Sequence, residues 1–112
     1  MPQQTSLKET FDIIIENNLD NPNLCIEDLC AELTVSRMHL YRQFIKLTGL
    51  SPSRYICVVR LQHAKEMLRE TELNISEIAY EVGFRDPNYF ARKFKEELSV
   101  SPRAYRKTLL EE

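Results

Sequence analysis

The sequence predicts an all-α fold, and three observations lead to this prediction. The chain has only two glycines in 112 residues and no run of alternating β-branched residues that would favour a strand. Apolar residues recur instead at steps of three and four, which is the helical period. Finally, one arrangement of helix signals occurs twice along the chain.

The repeat relates residues 26–55 to residues 75–105, with one extra residue, Arg85, in the second copy. The two segments read IEDLCAELTVSRMHLYRQFIKLTGLSPSRY and ISEIAYEVGFRDPNYFARKFKEELSVSPRAY. Seven aligned pairs are identical: Ile26/Ile75, Glu32/Glu81, Arg42/Arg92, Phe44/Phe94, Ser51/Ser101, Pro52/Pro102 and Tyr55/Tyr105. Each copy has the signals of a short helix, a tight turn and a longer basic helix. The chain is therefore expected to form two helix-turn-helix units.

Caps and apolar stripes predict the first three helices. A capping box of Ser6 and Glu9 begins the first helix, at about 7–18, and a stretch rich in Asn and Pro ends it. The second helix spans about 26–33, and the third follows an N-cap serine and spans about 36–48. The side chains expected to face the core are Leu7, Phe11, Ile14, Ile15, Leu29, Leu33, Leu40, Phe44 and Leu47.

The same signals predict four more helices. The fourth helix, at about 52–70, is the longest, and the fifth, at about 75–82, begins with a capping box. Asp86 and a following proline open the sixth helix at about 87–98, and Ser101 with its proline opens a short seventh. The expected inward side chains are Cys57, Leu61, Ala64, Leu68, Phe90, Phe94, Leu98 and Tyr105.

Small residues support a close crossing of helices in each unit. The first helix of a helix-turn-helix passes near the second, so a small residue is favoured within it and a permissive one in the turn. Ala79 and Gly83 meet both requirements in the second copy. Cys30 and Thr34 hold the same places in the first copy and fit less well.

The charge of the chain is unevenly distributed, although the net charge is only −2. Residues 1–32 have one basic residue and seven acidic ones, whereas residues 33–65 have six basic residues and no acidic one. Residues 85–107 have seven basic residues and three acidic ones. A polyanion responds to the local patch, because salt limits electrostatic reach to about 8–10 Å. The basic segments therefore favour binding to nucleic acid.

The outward faces of the third and sixth helices are suited to read DNA. Arginine can donate two bonds to guanine, Asn can pair with adenine, and Met or Ala can pack on a thymine methyl group. The residues predicted to contact bases are Arg37, Met38, Tyr41, Arg42, Pro87, Asn88, Ala91 and Arg92. Those predicted to contact phosphates are Ser36, His39, Lys46, Arg60, Arg85, Tyr89, Lys93, Lys95 and Arg103. Met38 and Tyr41 could equally border the core, and Ile45 on the same face is expected to be half-buried. For His39 and Tyr89, packing is an equal alternative.

The fourth helix is expected to link the two units. We expect residues 1–51 and 71–112 to form the two helix-turn-helix subdomains and residues 52–70 to form the linker. A helix of 19 residues is about 28 Å long. Successive major-groove segments of B-DNA lie about 34 Å apart. A rigid linker of this length could hold both basic helices near adjacent grooves if the DNA bends somewhat.

These residues resemble the DNA-binding domain of AraC/XylS-type transcriptional regulators. The second half has I-x-x-I-A-x-x-V-G-F, D-x-x-Y-F-x-R-x-F-K and S-P-x-x-Y-R, and the first half has S-R-x-x-L-Y-R-x-F and T-G-x-S-P-x-x-Y-I. The similarity covers about residues 7–107. It implies two helix-turn-helix units in adjacent major-groove segments, with base contacts from Met38, Tyr41, Arg42, Pro87, Asn88, Ala91 and Arg92. Ser99 replaces the usual glycine, which costs little if its φ is not positive.

The expected function is sequence-specific binding of double-stranded DNA in a bacterial transcription regulator, as an activator. The expected partners are RNA polymerase and a sensor, receiver or dimerisation domain in a longer parent chain of a two-component type; a free-standing small activator is the second possibility. The alternative is a docking module of a signalling regulator that uses the acidic first helix. The operator, the signal and the oligomeric state do not follow from the sequence.

The sequence has none of the motifs that would indicate an enzyme, a metal site or a membrane segment. His39 and His63 have no partner at nucleophile or metal-ligand spacing, and no glycine-rich phosphate loop occurs, so neither an enzyme, a metal nor a cofactor is expected. The three cysteines are expected to be reduced core thiols of a cytoplasmic protein. No stretch has the pattern of a signal peptide or the length of a membrane span.

Overall fold

The chain forms seven helices between residues 7 and 110, the part that the computed structural model describes. They are α1 (Leu7–Asn17), α2 (Ile26–Leu33), α3 (Arg37–Thr48), α4 (Pro52–Glu70), α5 (Ile75–Glu81), α6 (Pro87–Leu98) and α7 (Pro102–Leu110). Among the described residues there is no strand. The all-α, seven-helix prediction is confirmed, and its boundaries agree with the observed helices to within one residue where both ends were predicted. Ser6, the predicted cap of α1, lies outside the described residues.

The helices belong to two compact units that divide within α4. Among the described residues, the first unit comprises residues 7–18 together with Asn23–Cys57, and the second comprises Leu19–Pro22 together with residues 58–110. The short segment Leu19–Pro22 therefore belongs to the second unit although it follows α1 in the chain. The predicted linker helix is a single α4 of 19 residues, and each unit contains part of it.

An aromatic cluster forms the centre of the first unit. The ring centroids of Phe11 and Phe44 are 4.3 Å apart, and the Tyr55 ring lies 5.2 Å from that of Phe44. The Tyr55 hydroxyl donates a 2.6 Å hydrogen bond to Asp12 Oδ1, and Lys8 Nζ lies 2.9 Å from Asp12 Oδ2. Burial raises the pKa of Tyr55 above its ordinary value, and the hydrogen bond to Asp12 raises it further. These contacts fix α1 and the start of α4 around α3.

The second unit has a chain of aromatic rings and a half-buried arginine, Arg106. Phe84, Phe90 and Phe94 are buried. The ring centroids of Phe84 and Phe90 are 5.2 Å apart, and those of Phe90 and Phe94 are 5.8 Å apart. Arg106 of α7 donates hydrogen bonds of 2.5–3.1 Å to the carbonyl oxygens of Leu68, Thr71 and Leu73. Because the last carbonyls of a helix have no intrahelical donor, one guanidinium here satisfies the end of α4 and the loop after it.

Both turns have the same backbone geometry. In the first, the N–H groups of Thr34 and Val35 donate to the oxygens of Ala31 and Cys30; in the second, Gly83 and Phe84 donate to the aligned oxygens. Positive φ angles occur at Thr34 (59°) and Gly83 (94°). This pair of bonds is the Schellman motif, which requires a left-handed residue after the helix. The turn of the first copy, which fits the motif less well, therefore places Thr34 in a conformation that favours glycine.

Ser99 has a positive φ, so the condition under which the missing glycine would cost little is not met. Ser99 ends α6 with φ 68°, and the aligned Gly49 ends α3 with φ 77°. The backbone N–H of each donates to the carbonyl four residues earlier, Lys95 and Ile45. A residue with a Cβ is strained in this conformation by roughly 1–2 kcal/mol. The glycine missing from the second repeat is therefore a local cost to stability.

Burial differs from prediction at several positions. Leu47 was expected in the core but is 52% exposed, because it lies in the last turn of α3, where the core ends. The aligned residue in the second copy is Glu97, which was a signal of solvent exposure. The cysteine prediction is wrong for Cys25, which is exposed before α2, while Cys30 is buried and Cys57 half-buried. Half-burial rather than full burial is found for Leu7, Ile14, Leu33, Leu98 and Tyr105.

Candidate nucleic-acid interface

The outer face of α3 consists of Met38, Tyr41, Arg42 and Ile45. Ser36 caps the helix by accepting a 3.0 Å hydrogen bond from the His39 backbone N–H. Leu40 and Phe44 are buried, so at about 100° per residue these four side chains share the opposite side, within an arc of about 100°. Met38 is 58% exposed, Tyr41 50% and Ile45 40%. Met38 and Tyr41 are therefore surface residues and do not border the core, which was the equal alternative. The prediction that Ile45 is half-buried is wrong.

The outer face of α6 consists of the aligned residues Asn88, Ala91, Arg92 and Lys95. Asp86 caps the helix by accepting a 2.9 Å hydrogen bond from the Asn88 backbone N–H, and Pro87 occupies the first turn. Phe90 and Phe94 are buried on the other side. Asn88, Arg92 and Lys95 are exposed, whereas Ala91 and Pro87 are half-buried. Pro87 therefore has less surface available to a base than its neighbours.

Arginine is the one residue that the two outer faces share. Arg42 and Arg92 are both exposed, and each lies two residues before a buried phenylalanine. The Arg92 guanidinium lies 5.1 Å from the centre of the Tyr89 ring, a cation–π contact that restricts its position. Tyr89 is thus engaged with Arg92, although it is exposed enough to reach a phosphate as well.

Arg37 forms an ion pair within the first unit. Its Nη1 contacts Glu27 Oε2 of α2, and both side chains are about two-thirds exposed, 66% and 63%. The aligned positions in the second copy are Pro87 and Ser76, so the second unit has no equivalent pair. Arg37 can reach DNA only by exchanging this carboxylate for a base edge or a phosphate.

Most of the predicted phosphate contacts lie at the surface. Lys46 and Lys95 are exposed, as are His39, Arg85 and Arg103. Lys93 Nζ lies 3.3 Å from Glu96 Oε1 and 5.6 Å from the centre of the Tyr89 ring. Ser36 contributes its hydroxyl to the cap of α3. Arg85 Nε donates a 3.4 Å hydrogen bond to the carbonyl oxygen of Pro22.

Arg60 is a correction to the predicted phosphate contacts. The residue is buried in the second unit, where Nη2 donates a 2.8 Å hydrogen bond to the carbonyl oxygen of Asn21. Its guanidinium packs so closely on Gly83 that a Cβ there would lie 2.7 Å from Arg60 Cζ. Arg60 therefore holds the segment Leu19–Pro22 in place and is unavailable to DNA. The sequence did hold a signal: Arg60 falls within about 60° of the apolar stripe of α4.

The exposure of Ile45 and the role of Arg106 were not predicted from the sequence. Ile45 completes the outer face of α3, and its alignment with the basic Lys95 was a signal of exposure. Arg106 had no such signal, because its acceptors are backbone carbonyls more than 30 residues away.

The part of the chain that the structure describes contains no helix with the length and apolar character of a membrane span. No cluster of three or more potential metal ligands occurs in residues 7–110.

Comparison with known proteins shows the family to which the chain belongs. Residues 29–108 match a protein family described as "Helix-turn-helix domain". The HTH-type transcriptional activator RhaS of Klebsiella pneumoniae is 39% identical over 83 residues, which are 74% of this chain and 30% of that protein. The chain belongs to the AraC-type helix-turn-helix family of DNA-binding domains.

Two solved structures of such domains have the same fold. The C-terminal domain of the two-component response regulator yesN from Fusobacterium nucleatum is 35% identical with a TM-score of 0.83, and the match covers 91% of this chain and 99% of that one. The DNA-binding domain of AdpA, solved in complex with a target DNA, is 28% identical with a TM-score of 0.85, covering 94% and 93%. This AraC-type chain spans less than a third of the length of the curated relatives it matches.

Proposed function

We propose that this chain binds a specific sequence of double-stranded DNA by placing α3 in one major-groove segment and α6 in the next. The observation that supports this most is the pair of outer faces, which expose arginine at the same position of two aligned helices. Arginine at such a position can donate two bonds to guanine N7 and O6. The base contacts come from Met38, Tyr41, Arg42, Asn88, Ala91 and Arg92, with Arg37 joining after its release from Glu27 and Pro87 in a lesser role.

Phosphate contacts position the two helices. Lys46, Lys93 and Lys95 lie on or beside the outer faces, and none of residues 33–65 is acidic. We assign phosphate contacts to these lysines together with Ser36, His39, Arg85, Tyr89 and Arg103. Such contacts raise the affinity for every DNA sequence and make it depend on salt.

The parent protein is proposed to be a transcription activator of the bacterial cytoplasm. The short span of the chain relative to its relatives supports a longer parent, and the Fusobacterium neighbour is a domain of a two-component response regulator. In such a parent a sensor, receiver or dimerisation domain supplies the signal, and RNA polymerase is the partner at the promoter. The acidic surface of α1, with Glu9 and Glu16, is directed to these protein partners rather than to DNA.

The experiment is selection of bound duplexes from a random pool, followed by affinity measurements on the selected and a random sequence. Arg42→Ala and Arg92→Ala should each cost about 1–3 kcal/mol on the selected sequence and much less on random DNA. Lys46→Ala should weaken both alike and reduce the salt slope by about one.

Two outcomes would count against the proposal. Equal losses on selected and random DNA would remove the arginines from base recognition. Absence of DNA binding even at low salt would favour the docking module, since the electrostatic contribution is strongest there.

A further inference from the structure

The two outer faces differ in chemistry at three of their four positions. Arginine is common to both, but Met38, Tyr41 and Ile45 of α3 align with Asn88, Ala91 and Lys95 of α6. The face of α3 therefore offers two aliphatic side chains and one phenol, whereas the face of α6 offers an amide, a methyl group and an ammonium. All three of the α3 residues are at least 40% exposed.

The exposed apolar residues of α3 lie in a basic setting. Along the helix, Met38, Tyr41 and Ile45 are spaced by three and four residues and fall within about 60° of one another. Arg42 and Lys46 border them on one side and Arg37 on the other, and α3 contains no acidic residue. A partner for this face must be apolar where it contacts Met38 and Ile45 and anionic at its edges.

The major groove at thymine meets both requirements. The thymine C5-methyl group is the apolar feature of the base-pair edges in that groove, and phosphates line both margins. We infer that α3 selects a half-site with thymine methyl groups at the positions facing Met38 and Ile45, while α6 selects its half-site by hydrogen bonds from Asn88 and Arg92. This inference rests on the proposed function and adds to it that the two halves of the operator are unlike.

The test replaces thymine by deoxyuridine, which removes the methyl group and keeps the base pair. In the selected operator, the α3 half is the one whose contribution to affinity is lost in Arg42→Ala. Deoxyuridine in that half should weaken binding of the full chain about fourfold for each contacted methyl group, the value for burying one carbon of that size. Deoxyuridine in the other half should change affinity by no more than about twofold, because the apolar residues there, Pro87 and Ala91, are both half-buried.

Variants connect the methyl effect to the named side chains. The double variant Met38→Ala, Ile45→Ala should bind thymine and deoxyuridine duplexes equally, and its exposed positions should leave folding intact. Leu47→Ala is the matched control, since Leu47 is also an exposed apolar residue of α3 but lies about 180° from Met38, and it should keep the full methyl effect.

Several results would overturn the inference. One is a selected α3 half without thymine, and another is an unchanged affinity on deoxyuridine with the wild-type chain. If the methyl effect persists in the double variant, other residues contact the methyl groups. If the double variant loses binding to a partner protein and keeps its affinity for DNA, this face is a protein-docking surface. Failure to select any motif would defeat the proposed function itself, whereas a motif that is insensitive to deoxyuridine defeats only this inference.

Discussion

Substitution of Gly83 by alanine should destabilise the second unit far more than the same change at Gly49 destabilises the first. Both glycines have positive φ, 94° and 77°. A Cβ on Gly83 would lie 2.3 Å from the Leu19 carbonyl oxygen and 2.7 Å from Arg60 Cζ, whereas a Cβ on Gly49 meets nothing within 4 Å. The two variants therefore share the backbone strain and differ in packing.

The magnitudes follow from these distances. Left-handed alanine costs about 1–2 kcal/mol, which is the whole effect expected for Gly49→Ala. At Gly83 the Leu19 carbonyl and the Arg60 guanidinium must also move, and loss of the buried hydrogen bond from Arg60 to Asn21 adds about 1–3 kcal/mol. We expect about 2–5 kcal/mol in total, a large part of the 5–15 kcal/mol typical of a domain.

Urea denaturation followed by circular dichroism measures the difference. With a slope of about 2 kcal/mol per molar urea, Gly83→Ala should lower the midpoint by about 1–2.5 M and Gly49→Ala by about 0.5–1 M. Hydrogen exchange should place the loss of protection in residues 58–110 for Gly83→Ala, since its neighbours belong to the second unit. Equal midpoints for the two variants would refute the packing of Gly83 on Leu19 and Arg60.

Three further predictions concern other parts of the chain. Ser99→Gly should raise the free energy of unfolding by about 1 kcal/mol, because φ is 68° there, and an unchanged or lower midpoint in urea would contradict the strain. Arg106→Ala should lower the free energy of unfolding by about 2–4 kcal/mol, because three hydrogen bonds are lost. The control Arg103→Ala removes an exposed side chain and should change the free energy of unfolding by less than about 0.5 kcal/mol. Similar values for both variants in thermal denaturation would refute the role of Arg106. Glu27→Gln should release Arg37 from its ion pair, so that DNA binding tightens at low salt and the slope of log K against log salt steepens by about 0.9. Fluorescence anisotropy titrations measure this slope, and an unchanged slope would show that the ion pair does not compete with DNA.

Local signals in the sequence were sufficient for the helices. The prediction of Ser36 as a cap is confirmed by its 3.0 Å bond to the His39 N–H, and the capping box of Asn74 and Glu77 has both of its 2.8 Å bonds. Caps depend on residues within one turn of each other, so the sequence contains all the information they need. The duplicated pattern then placed the buried Phe44 and Phe94 at aligned positions.

Contacts between distant parts of the chain were not predictable in the same way. The helical period places Arg60 near the apolar stripe of α4, but its partner, the segment Leu19–Pro22, is known only from the tertiary structure. Arg37 and Glu27 are ten residues apart, and their pairing depends on how the turn sets α2 against α3. Ser99 departed from the expected glycine, but its positive φ could be established only from the backbone. For the two arginines the deciding partner is fixed by tertiary structure rather than by neighbours in sequence.

Protection of guanine N7 from methylation on the selected operator would locate both recognition helices in one experiment. We expect two groups of protected guanines in the major groove, about one helical turn apart, with one group lost in Arg42→Ala and the other in Arg92→Ala. A single protected group, or loss of the same guanines in both variants, would contradict the placement of two recognition helices in successive grooves.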